Sequence, residues 1–179
     1  RGRSHAHEGK ARDDDFNIYH NDSNGWYIIA VADGAGSAKY SRKGSAVACE
    51  TCVEFCKTAL ENPIELEKEI IALNSTTEGQ SNRAISTLIY NIVGGAAHKA
   101  HRAILETASA NEDQPRDYST TLLLAICKKF DFGWFVASFW VGDGAMCIYD
   151  KERQYIKLLG TPDGGEYAGQ TRFLTMKEI

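Results

Sequence analysis

The chain has 179 residues, enough for one domain with a substantial core, and its 43% apolar and 25% charged residues are ordinary for a soluble globular protein. Lys and Arg number 20 against 24 Asp and Glu, so the formal net charge is -4, which argues against a nucleic-acid-binding protein. No apolar run approaches the ~20 residues of a membrane-spanning helix, so we expect no membrane segment.

The five cysteines indicate a reducing compartment, the cytoplasm, because their number is odd and they form no disulfide framework. Cys49, Cys52 and Cys56 recur at helical spacing beside other small apolar residues, and we interpret them as core residues. The alternative, a Cys-x-x-Cys metal site, lacks a second pair, since Cys127 and Cys147 stand alone in strand-like segments.

Two strands joined by a hairpin are predicted first, at residues 16–20 and 26–32, because the segment NDSNG between them is rich in turn-forming residues. From residue 41 the apolar spacing changes to a helical period, and Asn62-Pro63 ends that helix. A short helix is expected over residues 65–73.

The remaining elements are a long helix and then strands. Apolar residues recur every three or four positions over residues 85–104, which predicts one helix that includes Gly94 and Gly95. After residue 118 the chain is predicted to be strands, in the segments STTLLLAIC, WFVASFWV, AMCIYD, QYIKLL and TRFLT. Because strands and helices do not alternate, the order predicts an antiparallel α+β domain with helices stacked on a sheet.

Acidic residues cluster where the first two strands end. Asp13, Asp14 and Asp15 precede the first strand, and Asp33 follows its hairpin partner, so we expect Asp33 to lie near Asp13 or Asp14. Several carboxylates at one sheet end repel each other unless a cation lies between them, and Mg²⁺ prefers such oxygen ligands. Gly34 lets the backbone approach closely and offers its carbonyl as a further ligand.

Asp143, in the segment VGDG, also follows an apolar strand. Each Asp-Gly alone is explained by ordinary turn chemistry, whereas the set of strand-end aspartates favours a metal site. The alternative of a phosphate-binding loop fails, because GAGSAKYS has no glycine before Lys39, and the dinucleotide fingerprint fails because Lys39 occupies its third glycine position.

Four segments in order, SHAHEGKARDDDF, VADGAGSAKYSRKGS, STTLLLAI and ASFWVGDGAMCIYD, resemble the successive motifs of the metal-dependent serine/threonine phosphatases of type 2C. The similarity is closest to the divergent bacterial branch and extends over almost the whole chain. It implies a four-layer sandwich of two antiparallel β-sheets flanked by helices. Residues 1–179 would then be a single type 2C phosphatase-like domain.

The resemblance also implies the chemistry and its residues. Two Mg²⁺ or Mn²⁺ ions bridged by a water would hydrolyse the phosphate ester. Asp33 resembles the aspartate that bridges both metals, Gly34 the carbonyl ligand beside it, and Asp13 and Asp14 the acidic pair, so Asp33, Asp13 and Asp14 are the expected catalytic residues. Asp143 resembles the aspartate that holds a third ion in bacterial members.

The sequence departs from the family pattern at the phosphate-binding arginine, because Gly9 occupies its position. Arg12 and Lys10 are the predicted phosphate-binding residues, and Lys39 and Arg42 are alternatives.

Other polar residues near the motifs have expected supporting or surface roles. Residues 119–121 resemble the strand that supports the family's site, although they are also ordinary strand residues. His98 and His101, one helical turn apart, are expected at the surface and not as ligands.

The family supplies two more aspartates after the last strands, which this sequence does not contain before Ile179, and Asp163-Gly164 is a poor substitute. We therefore expect either a fragment of a longer enzyme, which the absence of an initial methionine favours, or a reduced member. The 179-residue piece alone is expected to have weak or no activity.

The expected function is hydrolysis of phosphoserine and phosphothreonine in phosphorylated protein substrates, in cytoplasmic signalling, with a cognate serine/threonine kinase as a partner. The alternative is a catalytically reduced regulatory or phosphoprotein-binding module, supported by the absent arginine and aspartates.

Overall fold

The computed structural model describes residues 7, 9, 12–75, 83–162 and 171–176. In chain order the first elements are strands β1 (Asp15–His20) and β2 (Trp26–Ala32) and helices α1 (Ser41–Ala59), α2 (Ile64–Asn74), α3 (Arg83–Ile89) and α4 (Gly95–Ala110). Strands β3 (Leu122–Phe130), β4 (Gly133–Val141), β5 (Met146–Asp150) and β6 (Tyr155–Gly160) follow. No helix in this described part is both long and apolar enough to cross a membrane.

The described strands form a four-stranded antiparallel sheet, in the order β1-β2-β3-β4, and a two-stranded antiparallel sheet of β5 and β6. Asp15 at the start of β1 lies opposite Ala32 at the end of β2. Val31 lies opposite Leu123, so the residues just before β3 reach the same end of the sheet. The predicted α+β class with two antiparallel sheets is confirmed, and this register positions the acidic residues.

Helix α1 covers one face of the four-stranded sheet, and α4 packs against α1. Cys49, Cys52 and Cys56 are buried thiols, and the Cys52 Sγ lies 3.6 Å from the carbonyl oxygen of Ala96 on α4. Burial raises the pKa of Cys49 and Cys56 to about 12, so both remain thiols at neutral pH. Their interpretation as core residues is confirmed, because all three are at most 1% exposed and belong to the hydrophobic core.

The single helix predicted over residues 85–104 is interrupted. Helix α3 passes into α4 through a π-helical turn, Tyr90–Gly94, which widens the helix by one residue. A Cβ at Gly95 would lie 3.1 Å from the Phe55 ring of α1, so glycine permits the close contact between the helices there.

The two faces of the four-stranded sheet differ in exposure. Trp26 and Ile28 point toward the helices and are fully buried, whereas Phe16 and Ile18 on the opposite face are more than half exposed. The strand pair β5–β6 is tied to the sheet where Trp140 Nε1 donates a hydrogen bond to the Thr161 carbonyl oxygen at 2.9 Å.

Candidate metal centre

Four aspartates converge at the end of the sheet where β1 begins and β2 ends. The carboxyl of Asp33 lies within hydrogen-bonding reach of Asp14, and the charges of Asp14, Asp143 and Asp13 all act on it. Asp33 is an exposed residue, and its carboxyl is only partly buried. This partial burial, then Asp14, and then the charges of Asp143 and Asp13 raise the pKa of Asp33 to about 6.

The main chain of Asp33 is held by the two threonines that precede β3. Its N–H donates to Thr121 Oγ1 at 3.0 Å, and the Thr121 N–H donates to the Asp33 carbonyl oxygen at 2.8 Å. Thr120 Oγ1 donates to the same carbonyl oxygen at 3.0 Å. Because both threonines are buried, they fix the backbone from which the Asp33 carboxyl projects.

Gly34 forms a backbone bridge to Thr120 at a point where three segments meet. A Cβ built on Gly34 would lie 2.6 Å from the Asp13 carbonyl oxygen and 2.9 Å from the Ser41 Cβ, so only glycine fits. Ser45 Oγ in α1 donates to that Asp13 carbonyl oxygen at 2.6 Å. The first turns of α1 therefore hold the acidic segment against the end of β2.

A cavity of about 230 Å³ opens beside Asp33. The residues that line it are mostly small or polar: Asp33, Gly34, Ala35, Gly36, Ser37, Thr121, Asp143, Thr171 and Phe173. Among the described residues, this lining contains two of the four converging aspartates and no lysine, arginine or histidine.

Asp143 reaches this cavity from the end of β4. Gly142 before it has a φ of +112°, and a Cβ there would lie 2.5 Å from Thr121 Cγ2, so the turn packs directly on the threonine that holds Asp33. Thr171 Oγ1 donates to Asp143 Oδ2 at 3.3 Å.

Thr171 and Phe173 line the cavity, and sequence reasoning missed them. The segment TRFLT was predicted to be a strand, whereas only Thr171 has a strand-like bridge and residues 174–176 form a turn. Nothing in the sequence distinguishes this segment from an ordinary strand, because its partners are distant in the chain.

The basic residues predicted to bind phosphate are placed differently from one another. The Arg12 guanidinium lies 3.3 Å from Asp15 Oδ1 and 5.5 Å from the centroid of the Phe16 ring. Lys39 is exposed, with its Nζ 4.6 Å from the centroid of the Tyr40 ring. Lys10, like Asp163 and Gly164, lies outside the described residues.

The two helical histidines have different environments. His98 is exposed, as predicted, but His101 is half-buried and its Nδ1 lies 2.6 Å from the Leu174 carbonyl oxygen. The expectation of a surface residue was therefore wrong for His101, which contacts the segment that also lines the cavity.

The donor atoms at this site suit a hard divalent cation. Carboxylate oxygens and the Gly34 carbonyl are the ligand types that Mg²⁺ and Mn²⁺ prefer, and a cation would relieve the repulsion that raises the pKa of Asp33. In the described part of the chain, no three His, Cys, Asp or Glu side chains are already closed around one point. The chemistry of the donors thus fits an ion, and the carboxylates would have to move inward to hold it.

The fold is an antiparallel α+β domain, and its candidate site is a cavity lined by Asp33 and Asp143 at the end of the main sheet. The family model described as Protein phosphatase 2C matches residues 1–179, and the chain belongs to that family. The resemblance drawn from the sequence motifs is therefore confirmed at the level of the family. A comparison with curated proteins gave no significant match.

Proposed function

We propose that this chain carries the metal-binding site of a metal-dependent protein serine/threonine phosphatase, which hydrolyses phosphoserine and phosphothreonine in proteins. The observation that supports it most is the convergence of Asp13, Asp14 and Asp143 on Asp33. Isolated turn aspartates would not share an end of the sheet or perturb one another.

The residues assigned to hold two ions are Asp33, the Gly34 carbonyl, Asp13 and Asp14, with Asp143 at a third. Mg²⁺ or Mn²⁺ bound there would supply positive charge for the phosphoryl oxygens and lower the pKa of the attacking water. The chain's own contribution is positioning, since Thr120 and Thr121 fix the main chain of Asp33 through three hydrogen bonds.

The size of the cavity agrees with a phosphorylated side chain as the substrate. Its volume of about 230 Å³ holds a phosphoryl group and several waters, whereas pockets for larger organic ligands usually exceed ~300 Å³. The small residues at positions 34–37 leave that space open. We accordingly propose phosphorylated proteins as substrates and a cognate serine/threonine kinase as the enzyme that phosphorylates them.

A cytoplasmic, signalling role completes the proposal. All five cysteines are unpaired thiols, and three of them are buried in the core, which agrees with a reducing compartment.

The test is the hydrolysis of an aryl phosphate and of a phosphothreonine peptide by the complete protein with Mn²⁺. We expect Asp33→Asn to lower turnover more than 100-fold, because the charge at the centre of the cluster is lost. Asp22→Asn is the matched control, since Asp22 is an exposed carboxylate in the hairpin turn, paired with His20. Turnover that survives excess chelator, or that is unchanged by Asp33→Asn, would contradict the proposal.

A regulatory module that binds phosphoproteins without turnover is the second candidate. It is favoured by the contact of the Arg12 guanidinium with Asp15, and the cavity-lining residues that the structure describes include no basic side chain. This candidate predicts that a phosphothreonine peptide binds in the presence of Mn²⁺ while no inorganic phosphate is released. Release of phosphate over many turnovers would reject it.

A further inference from the structure

We infer that Thr171 is a positioning residue for Asp143, and that the segment 171–176 forms one side of the cavity at the metal centre. This inference rests on the proposed function, because it assigns a role at the same site. It starts from a segment that no motif of the sequence singled out.

The segment is anchored at Leu174, which is completely buried. The Leu174 N–H donates to the Thr120 carbonyl oxygen at 2.8 Å. On the other side, the Leu174 carbonyl oxygen lies 2.6 Å from His101 Nδ1, which must carry the hydrogen because a carbonyl can only accept. Leu174 therefore joins helix α4 to the residues that hold Asp33.

A second link fixes the same segment one residue further along. Thr175 Oγ1 lies 3.1 Å from Ser119 Oγ, and Ser119 accepts a hydrogen bond from the Ala35 N–H at 2.9 Å through its carbonyl oxygen. The segment is thus tied to residues 119–120 by both main-chain and side-chain contacts. The residues just before β3 therefore position both this segment and Asp33.

Thr171 is the residue by which this anchored segment contacts a carboxylate of the site. Its hydroxyl donates to Asp143 Oδ2 at 3.3 Å, while Asp143 is exposed on a turn and has several rotamers available to its side chain. The hydrogen bond restricts the Asp143 carboxylate to one orientation beside the cavity that Asp143 and Asp33 both line. Asp143 would bind a cation more weakly without it, because its ordering would then oppose binding.

The experiment is a measurement of Mn²⁺ binding by calorimetry on the protein without substrate, so that the readout does not depend on catalysis. Thr171→Val keeps the shape of the side chain and removes the donor, and we expect it to weaken binding of the ion held by Asp143 about 3- to 10-fold, the effect of one exposed hydrogen bond of ordinary strength. Thr171→Ser keeps the hydroxyl and is expected to bind Mn²⁺ as the unmodified protein does.

A double-mutant cycle separates positioning from a structural role. In an Asp143→Asn background, Thr171→Val should cause no further loss of Mn²⁺ binding, because the carboxylate that the hydroxyl orients is already gone. An equal loss in both backgrounds, or an equal effect of Thr171→Val and Thr171→Ser, would overturn the inference and leave the proposed function standing. If the unmodified protein binds no Mn²⁺ at millimolar concentration, the proposed function falls and the inference falls with it.

Discussion

The carboxyl groups of Asp14 and Asp33 lie close enough to share a hydrogen bond across the end of the β1–β2 hairpin. Two carboxyl groups can do so only when one of them holds a proton. The pair therefore couples the protonation of the site to the stability of the fold.

The raised pKa of Asp33 predicts that the metal-free protein loses stability between about pH 4 and pH 6. The pKa is about 6 in the folded chain against the ordinary value of 3.8, so the folded state binds more protons in this interval, and its stability falls as the pH rises. The loss should be about 1 kcal/mol, since solvent screens an exposed carboxyl.

This pH dependence is measured by thermal unfolding in chelator, as the difference in stability between the unmodified protein and Asp33→Asn. The unmodified protein should lose stability relative to Asp33→Asn as the pH rises from 4 to 6. Above pH 6 the difference in stability should remain constant. Parallel pH profiles for the two proteins would contradict the raised pKa.

The close contact at Gly34 predicts a large effect of a single methyl group. Gly34→Ala places a Cβ against the Asp13 carbonyl and the start of α1, and we expect a loss of about 1–3 kcal/mol in the free energy of unfolding, together with weaker Mn²⁺ binding. Gly36→Ala is the matched control, because a Cβ there meets nothing within 4 Å. Urea unfolding measures the stability of both variants. Equal unfolding midpoints for Gly34→Ala and Gly36→Ala would contradict the close contact at Gly34.

The two hydrogen bonds between Asp33 and Thr121 predict that the threonine hydroxyl stabilises the fold. Thr121→Val leaves the Asp33 N–H without its acceptor and should cost about 1–3 kcal/mol. Thr121→Ser keeps the acceptor and should cost less, although it removes the methyl group that packs near Gly142. Chemical denaturation distinguishes them, and a valine variant more stable than the serine variant would count against this role.

At the opposite end of the sheet, Glu67 connects helix α2 to two strands. Its Oε1 accepts hydrogen bonds from Trp26 Nε1 at 2.8 Å and from Lys128 Nζ at 2.7 Å. Glu67→Ala should lower stability by about 2 kcal/mol, since a buried donor and a partly buried ammonium lose their partner. Glu67→Gln, which keeps an acceptor, should lose less.

Mn²⁺ affinity, measured well below the melting temperature, should stay unchanged in both Glu67 variants, because Glu67 lies far along the sheet from Asp33. A change in affinity for a fully folded Glu67 variant would mean that the two ends of the sheet are coupled.

Features set by neighbouring residues could be predicted from the sequence. The hairpin follows from the turn residues of NDSNG, and the pairing of β1 with β2 then brings Asp14 beside Asp33 with no further information. The three core cysteines follow from helical spacing. The π-helical turn could not be predicted, because one extra residue barely alters the apolar spacing of a helix.

Features set by contacts between distant residues could not be predicted. The role of His101 depends on Leu174, and that of Thr171 on Asp143, and neither pair is related by a local pattern. The identity of the phosphate-binding residue stays a prediction for a similar reason. Arg12 is adjacent to the acidic segment in sequence, yet its guanidinium contacts Asp15. That contact depends on side-chain packing, which the sequence does not specify.

Asp13, Asp33 and Asp143 belong to three separate stretches of chain, and only the assembled four-stranded sheet gathers them. An unfolded molecule has no such cluster, so any divalent ion captured by the native state shifts the folding equilibrium by mass action. Dose–response curves for the ion therefore report conformational equilibrium as well as local affinity. A substitution anywhere in the sheet that increases the unfolded fraction will lower the apparent affinity for the ion, as damage to the site itself would. Titrations must therefore be run under strongly native conditions.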